Sequence, residues 1–248
     1  MRIINLSQTR SQKIPPDAGS SGVYEEIPVA ISINGRHTST VLLAPGDQKE
    51  YVSGFLYTEQ YVTKPDEIES IRVERNRISV ITTNIFTSPG PKKTILSGCG
   101  GAVSYIDTAK LPFIAGGYAV PKNELILCIR EMNARNHESG ESIVFSCLCE
   151  KNDILLCRCD IGEEQAVDRM IGAGLMKKID FFSSYCICSV IITSEIVRKC
   201  LIAGIPLVLT NRHLTSLAIE IGQKNGLCVC AIQGDEILVY SHPERITG

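Results

Sequence analysis

The sequence has no tryptophan, and only 6% of its 248 residues are aromatic. It has no apolar run approaching the roughly 18 residues that a membrane-spanning helix needs. Its start, MRIINLSQTRSQKIPPDAGS, is polar and lacks the apolar core of a secretion signal. A cytoplasmic location with no membrane partner is therefore expected. An excess of one charge is missing too. The net charge of -2 gives no general attraction to nucleic acid, which is not expected as a partner. Cys-x-x-Cys is absent, and no His stands at zinc-finger spacing, so no metal site is expected. The composition that remains, 44% hydrophobic and 21% charged, is that of an ordinary globular chain. Its length suits one large or two small domains with a real core.

Cysteine, by contrast, is plentiful. An odd count of eleven, without a secretion signal, argues against a disulfide framework, and reduced thiols are the expectation. Eight of them form four Cys-x-Cys pairs: Cys147/Cys149, Cys157/Cys159, Cys186/Cys188 and Cys228/Cys230. Residues i and i+2 of a strand share a face, so each pair would suit a soft metal such as zinc or copper(I). Their Leu, Ile and Val neighbours favour the other reading, plain core packing. Cys99 differs from all of these. It lies in Ser97-Gly98-Cys99-Gly100-Gly101, open to approach, with Lys92 and Lys93 upstream to favour a thiolate. The residues alone leave two readings: a nucleophilic thiol, or a cysteine at a tight turn.

The chain divides into a flexible lead-in (1–24), a β-rich unit (25–83), a Gly/Pro-rich loop carrying Cys99 (84–117) and an α/β domain (118–248). In the first unit, IPVAISI and HTSTVLLA flank Asn34-Gly35, a two-residue hairpin signal. Asp47, with Glu50, is set to cap a helix bearing Tyr51, Val52, Phe55 and Leu56. IESIRVE and RISVITT form a second strand pair. In the last segment Pro121 suits the first turn of a helix reaching about Asn136. Strands at SIVFSCLC and DILLCRC precede a helix with Ala166, Val167, Met170, Ile171, Gly174 and Leu175 on one stripe. CICSVII, a helix capped by Ser194, IPLVL, the helix TSLAIEIG, LCVCAI and ILVYS complete an alternation that predicts a three-layer α/β sheet.

Three other features have competing readings. Asp160-Ile161-Gly162 sits where a strand turns into a helix, a common place for ligand contacts, although a plain turn is favoured. Glu163 and Glu164 complement that helix dipole and would repel a phosphate. Thr215 and Ser216 suit capping ahead of anion binding. The four histidines are dispersed and none stands out.

Taken together these segments resemble the FdhD/NarQ family of formate dehydrogenase accessory sulfurtransferases, from about Glu25 to Ile246. The resemblance rests on Pro45, Asp47, Gly54, Phe55 and Glu59, and on DIGEEQAVDRMIG, TSEIVRKCLIAGIPLVLT, LTSLAIEIG and ILVYSHPERI in order. It implies a cytidine deaminase-like sheet domain with a smaller N-terminal β-rich α+β unit, and a homodimer. It implies a sulfurtransferase that takes persulfide sulfur from a cysteine desulfurase onto Cys99. The sulfur passes to the molybdenum bis-guanine-dinucleotide cofactor destined for formate dehydrogenase, a bound client and not a permanent cofactor. The cofactor's dinucleotide is expected at Ala231, Ile232, Gln233, Gly234, Asp235 and Glu236.

The chain departs from the family pattern at several places. Ala102 replaces a second loop cysteine, and Glu163 and Glu164 replace an Arg-His pair. Val190 and Ile191 stand for Ser-Arg, Ser142 and Ile143 for Thr-His, and no Arg lies in the cofactor segment. One thiol suffices to carry a persulfide; a second would expel the sulfur as sulfide. The alternative is a paralogue that binds a nucleotide, cofactor or partner without moving sulfur. A zinc deaminase, suggested only by the implied fold, is excluded because Pro-Cys-x-x-Cys is missing.

Overall fold

The computed structural model describes residues 23–83, 93–94, 103–104, 111–138 and 143–248. Among these the chain is mixed α/β, with five α-helices. Strand β1 (Ile27–Ile33) pairs antiparallel with β2 (Arg36–Leu43) through Asn34 and Gly35, both at positive φ as a tight hairpin requires. Helix α1 (Gln48–Thr58) follows, then β3 (Ile68–Glu74) and β4 (Arg77–Thr82). The four strands form one sheet, ordered β2-β1-β4-β3, in which β1 and β4 run parallel. Val29, Ile31, Leu43, Ile78 and Val80 pack from it against Val52 and Leu56 of α1.

Asp47 does not cap α1 as the sequence suggests. It takes a left-handed conformation (φ 47) and its side chain accepts no capping bond. A capping residue needs an extended backbone, and here the preceding turn is drawn elsewhere. The Arg169 guanidinium donates to the carbonyls of Ala44 and Gly46, each at 2.5 Å.

Two short strands, β5 (Lys93–Thr94) and β6 (Val103–Ser104), pair antiparallel. Beyond them, β7 (Val120–Pro121) leads into α2 (Lys122–Glu138). Pro121 thus belongs to a strand, and the helix begins one residue later. The larger sheet is built from β8 (Val144–Glu150), β9 (Asp153–Asp160), β10 (Tyr185–Cys188), β11 (Leu207–Thr210), β12 (Cys228–Gln233) and β13 (Glu236–Val239). Its order is β13-β12-β11-β10-β8-β9. The central β10, β11 and β12 are parallel, with antiparallel strands outside them. Their crossovers are α4 (Ser194–Ala203) and α5 (Ser216–Asn225), while α3 (Glu163–Met176) follows β9. The closing β14 (Ile246–Thr247) lies parallel to β7.

Alternation along the strands separates two cores. Tyr185, Ile187, Leu207, Leu209, Cys228 and Cys230 face α2 with Leu125, Ile129 and Met132. Cys186, Cys188, Val208 and Val229 face the other way, toward Val167, Ile171, Ile196, Val197 and Ile221 of α3, α4 and α5. The cap of α4 is Thr193, whose hydroxyl accepts from the Ile196 amide, so Ser194 is the first helical residue and not the cap.

The four-stranded unit is fastened to the larger sheet through α1 and α3. Their backbones meet at Gly54 and Gly172, where a Cβ on either would strike the other helix. Around that crossing lie buried charges. Arg169 pairs with Asp160 at 2.6 Å, and Lys199 reaches both Asp168 oxygens at 2.9 Å and Glu59 at 3.3 Å. Arg198 joins Glu195 and Glu59, and Arg158 joins Glu50.

Candidate functional site

The proposed sulfur-carrying residue, Cys99, and Ala102 beside it lie outside the described residues. The strands β5 and β6 bracket residues 95–102 in antiparallel register, Thr94 opposite Val103. Downstream, the chain is tied firmly back to the domain. The Arg245 guanidinium donates to the carbonyls of Ile114 (2.9 Å), Ala115 (2.8 Å) and Gly226 (3.0 Å). Gly226, at φ +78, leaves room for Ile114, whose carbonyl a Cβ would strike. The arginine of the C-terminal HPERI stretch thus anchors the far end of the loop.

The expected cofactor segment forms the β12–β13 hairpin. Ala231 and Ile232 are buried in β12, whereas Gln233, Gly234, Asp235 and Glu236 are exposed at the turn. Ile232, Gln233 and Gly234 form one wall of an open cleft of about 470 Å³. The other wall comes from Asn211, Arg212 and His213, just after β11, and from Asn133 of α2. The cleft therefore lies at the carboxyl ends of two parallel strands, where open α/β sheets bind ligands. Asn211 donates its amide to Asn133 Oδ1 at 2.6 Å, fixing two polar side chains in the wall.

The charge of this cleft comes from beyond the 231–236 segment. The segment itself carries no arginine, but Asp235 is balanced by Arg130 at 2.5 Å. Arg212 is exposed, and the ion pairs among the described residues do not include it. It can offer its planar donor array to an anion. His213, one of four histidines given no role from sequence, lies beside it. Both follow the end of a strand adjacent to β12, and that adjacency was the available signal.

The other polar features have structural tasks. Asp160 is fully buried; its Oδ1 accepts from the amides of Ala44 (3.1 Å), Ile161 (2.7 Å) and Gly162 (3.3 Å). That is a strand-to-helix turn pinned to the first unit. Burial pushes the Glu164 carboxyl up to about 7, with Lys199 acting in the opposite direction. Thr215 caps α5, accepting from the Ala218 amide. Ile143 and Val190, which replace polar family positions, are buried in the two cores, while Ile191 is exposed.

The Cys-x-Cys pairs are largely core residues. Among the described residues no group of three or more His, Cys, Asp or Glu is placed to hold a metal ion. Cys147 and Cys157 bring their sulfurs close together across β8 and β9, with Cα atoms 4.1 Å apart. They sit opposite each other in the β8–β9 register, a relation fixed by strand pairing and not by their spacing.

Residues 24–247 match the model of the FdhD/NarQ family. The chain belongs to that family. A sulfur carrier protein FdhD from Bordetella petrii is 27% identical over 242 residues, covering 92% of this chain and 87% of its own. Another, from Sulfolobus acidocaldarius, is 29% identical over 235 residues and covers 90% of each. A crystal structure described as a formate dehydrogenase accessory protein from Desulfotalea psychrophila superposes with a TM-score of 0.75, at 25% identity and 90% coverage of both chains. Among the described residues, no helix is long and apolar enough to cross a membrane.

Proposed function

We propose that this FdhD/NarQ chain is a sulfur carrier acting in formate dehydrogenase maturation, with Cys99 as the carrying thiol. The carrying observation is the family match over residues 24–247, with relatives named as sulfur carriers aligned along nearly their whole length. On this reading Cys99 is carried on the segment 84–117, which follows the β-rich unit (25–83) and precedes the α/β domain (118–248) in the chain. That domain has the cytidine deaminase-like layering implied by the resemblance, and two copies form a homodimer in the cytoplasm.

In the first step the Cys99 thiolate attacks the outer sulfur of a persulfide on a cysteine desulfurase. A sulfur–sulfur bond forms at Cys99, the donor's sulfur–sulfur bond breaks, and the donor cysteine leaves as a thiolate. In the second step an electron-pair donor atom of the acceptor attacks the outer sulfur; its lone pair forms the new bond, the sulfur–sulfur bond breaks, Cys99 leaves as a thiolate and the persulfide proton passes to solvent. Alanine at position 102 suits this route, because no adjacent thiol at that position can expel the sulfur as sulfide. The acceptor is the molybdenum bis-guanine-dinucleotide cofactor. Its nucleotide lies in the cleft of Ile232, Gln233 and Gly234, with Arg212 toward a phosphate, and Ala231, Asp235 and Glu236 complete the segment.

A second reading is favoured by Ile143 and Val190. Where the family has polar residues, these are buried apolar ones, as in a paralogue that binds its ligand without moving sulfur. Incubation with cysteine and a cysteine desulfurase, followed by intact-protein mass spectrometry, separates the two. A sulfur carrier gains one sulfur atom, and Cys99→Ser does not. A wild-type protein that gains none is the binding paralogue.

A further inference from the structure

Among the described residues, the wall of the cleft holds one buried side-chain polar atom without a hydrogen-bond partner. Asn211 follows the last residue of β11, and its amide donates to Asn133 Oδ1 of α2 at 2.6 Å. Its own Oδ1 is covered from solvent and accepts nothing from the described residues. Buried polar atoms in folded chains nearly always find a partner, and leaving one unmade is costly. An orphaned acceptor in the wall of a cleft points to a donor that arrives from outside. We propose that Asn211 sets the base specificity of this cleft, its Oδ1 accepting from the exocyclic 2-amine of guanine. The inference rests on the nucleotide reading above and adds the base to it, since that reading engages only a phosphate through Arg212.

The two neighbours ask for opposite chemistry from one ligand. Arg212, exposed in the same wall, offers only donors and suits an anionic oxygen. Asn211 Oδ1 repels such an oxygen and needs an N–H group. A nucleotide with an N–H-bearing base edge satisfies both ends. Guanine presents two adjacent N–H groups on that edge, at N1 and at the 2-amine; hypoxanthine keeps only the first.

The surroundings hold the oxygen in place. Asn133 occupies the amide hydrogens of Asn211, so the oxygen is the end left for a ligand. The terminal torsion of asparagine is soft, and a small turn about it brings the oxygen to the cleft while the bond to Asn133 holds. On the opposite wall Ile232 is apolar, and a Cβ built on Gly234 meets nothing within 4 Å. A flat ring has room to lie there.

Titration calorimetry of the full chain with guanosine diphosphate and inosine diphosphate tests this, because the two differ only in the 2-amine. Wild type should hold guanosine diphosphate about tenfold more tightly, the margin of one hydrogen bond to an otherwise unpaired buried group. Asn211→Leu, of similar size but with no acceptor, should erase that margin. Asn211→Ala gives the same comparison if the leucine variant does not fold. Two results would overturn the proposal: equal affinity of wild type for both nucleotides, or a margin that survives in the variants. A wild type that binds neither nucleotide overturns the nucleotide reading itself, and this inference with it.

Discussion

Gly54 of α1 and Gly172 of α3 lie back to back: a Cβ on Gly54 would stand 2.9 Å from the Gly172 nitrogen, and one on Gly172 2.7 Å from the Gly54 nitrogen. This crossing, and not a broad apolar interface, lets the charged side chains around it meet.

Alanine at either glycine forces the helices apart. Helix propensity returns about 1 kcal/mol, but overpacking against backbone costs roughly 1–3 kcal/mol or more, and the flanking ion pairs lengthen. Gly54→Ala and Gly172→Ala should each lower the urea midpoint measurably. Gly116→Ala, with nothing within 4 Å of the added carbon, should leave it unchanged.

The Lys199 ammonium is buried against both Asp168 oxygens, and the Thr58 hydroxyl donates to the same carboxylate at 2.8 Å. Asp168→Ala leaves the buried cation only Glu59, at 3.3 Å and shared with Arg198, and should cost up to about 3–5 kcal/mol. Replacing both partners with apolar residues, Asp168→Leu with Lys199→Met, should recover much of that loss in a denaturation series.

Glu164 gives stability a pH dependence. Its carboxyl titrates at about 7 in the folded chain because burial disfavours the anion, against 4.5 for the free group. The folded state therefore binds the proton more tightly. No penalty exists below the unfolded value, and stability falls as pH rises from about 4.5 to 7. Glu164→Gln should match wild type near the acid end of that window and exceed it above the window, on the order of 1 kcal/mol after solvent screening. Melting temperatures at the two ends check this.

At the cleft, Arg212→Ala should loosen guanosine diphosphate by about tenfold, as loss of a charge-assisted contact does. Titration calorimetry separates the outcomes: equal binding by both proteins removes Arg212 from the site, and no binding by wild type removes the nucleotide.

Features set by local rules were legible in the sequence. Asn34-Gly35 is a hairpin because both residues accept positive φ. Ala166, Val167, Met170, Ile171 and Gly174 are buried as their helical stripe suggests, and Asp168, Arg169, Gly172 and Ala173 between them are buried as well, against α1. What depends on distant partners was not legible. Nothing near Arg169, Arg198 or Lys199 in the sequence points to Ala44, Gly46 and Thr58, the partners that lie more than a hundred residues earlier. Cys147 and Cys157 pair through the β8–β9 register. The cleft joins Asn133 of α2 to residues 211–213 and 232–234, a gathering that depends on strand order. The segment 231–236 itself came from family resemblance and not from its own residues.

The central claim is where sulfur rests on the protein. After loading by a cysteine desulfurase, alkylation of persulfides and peptide mass mapping should place the added sulfur on Cys99, with the peptides of Cys157 and Cys159 unmodified by it. Sulfur found on those strand cysteines, or on no cysteine of a competently loaded mixture, would contradict the account.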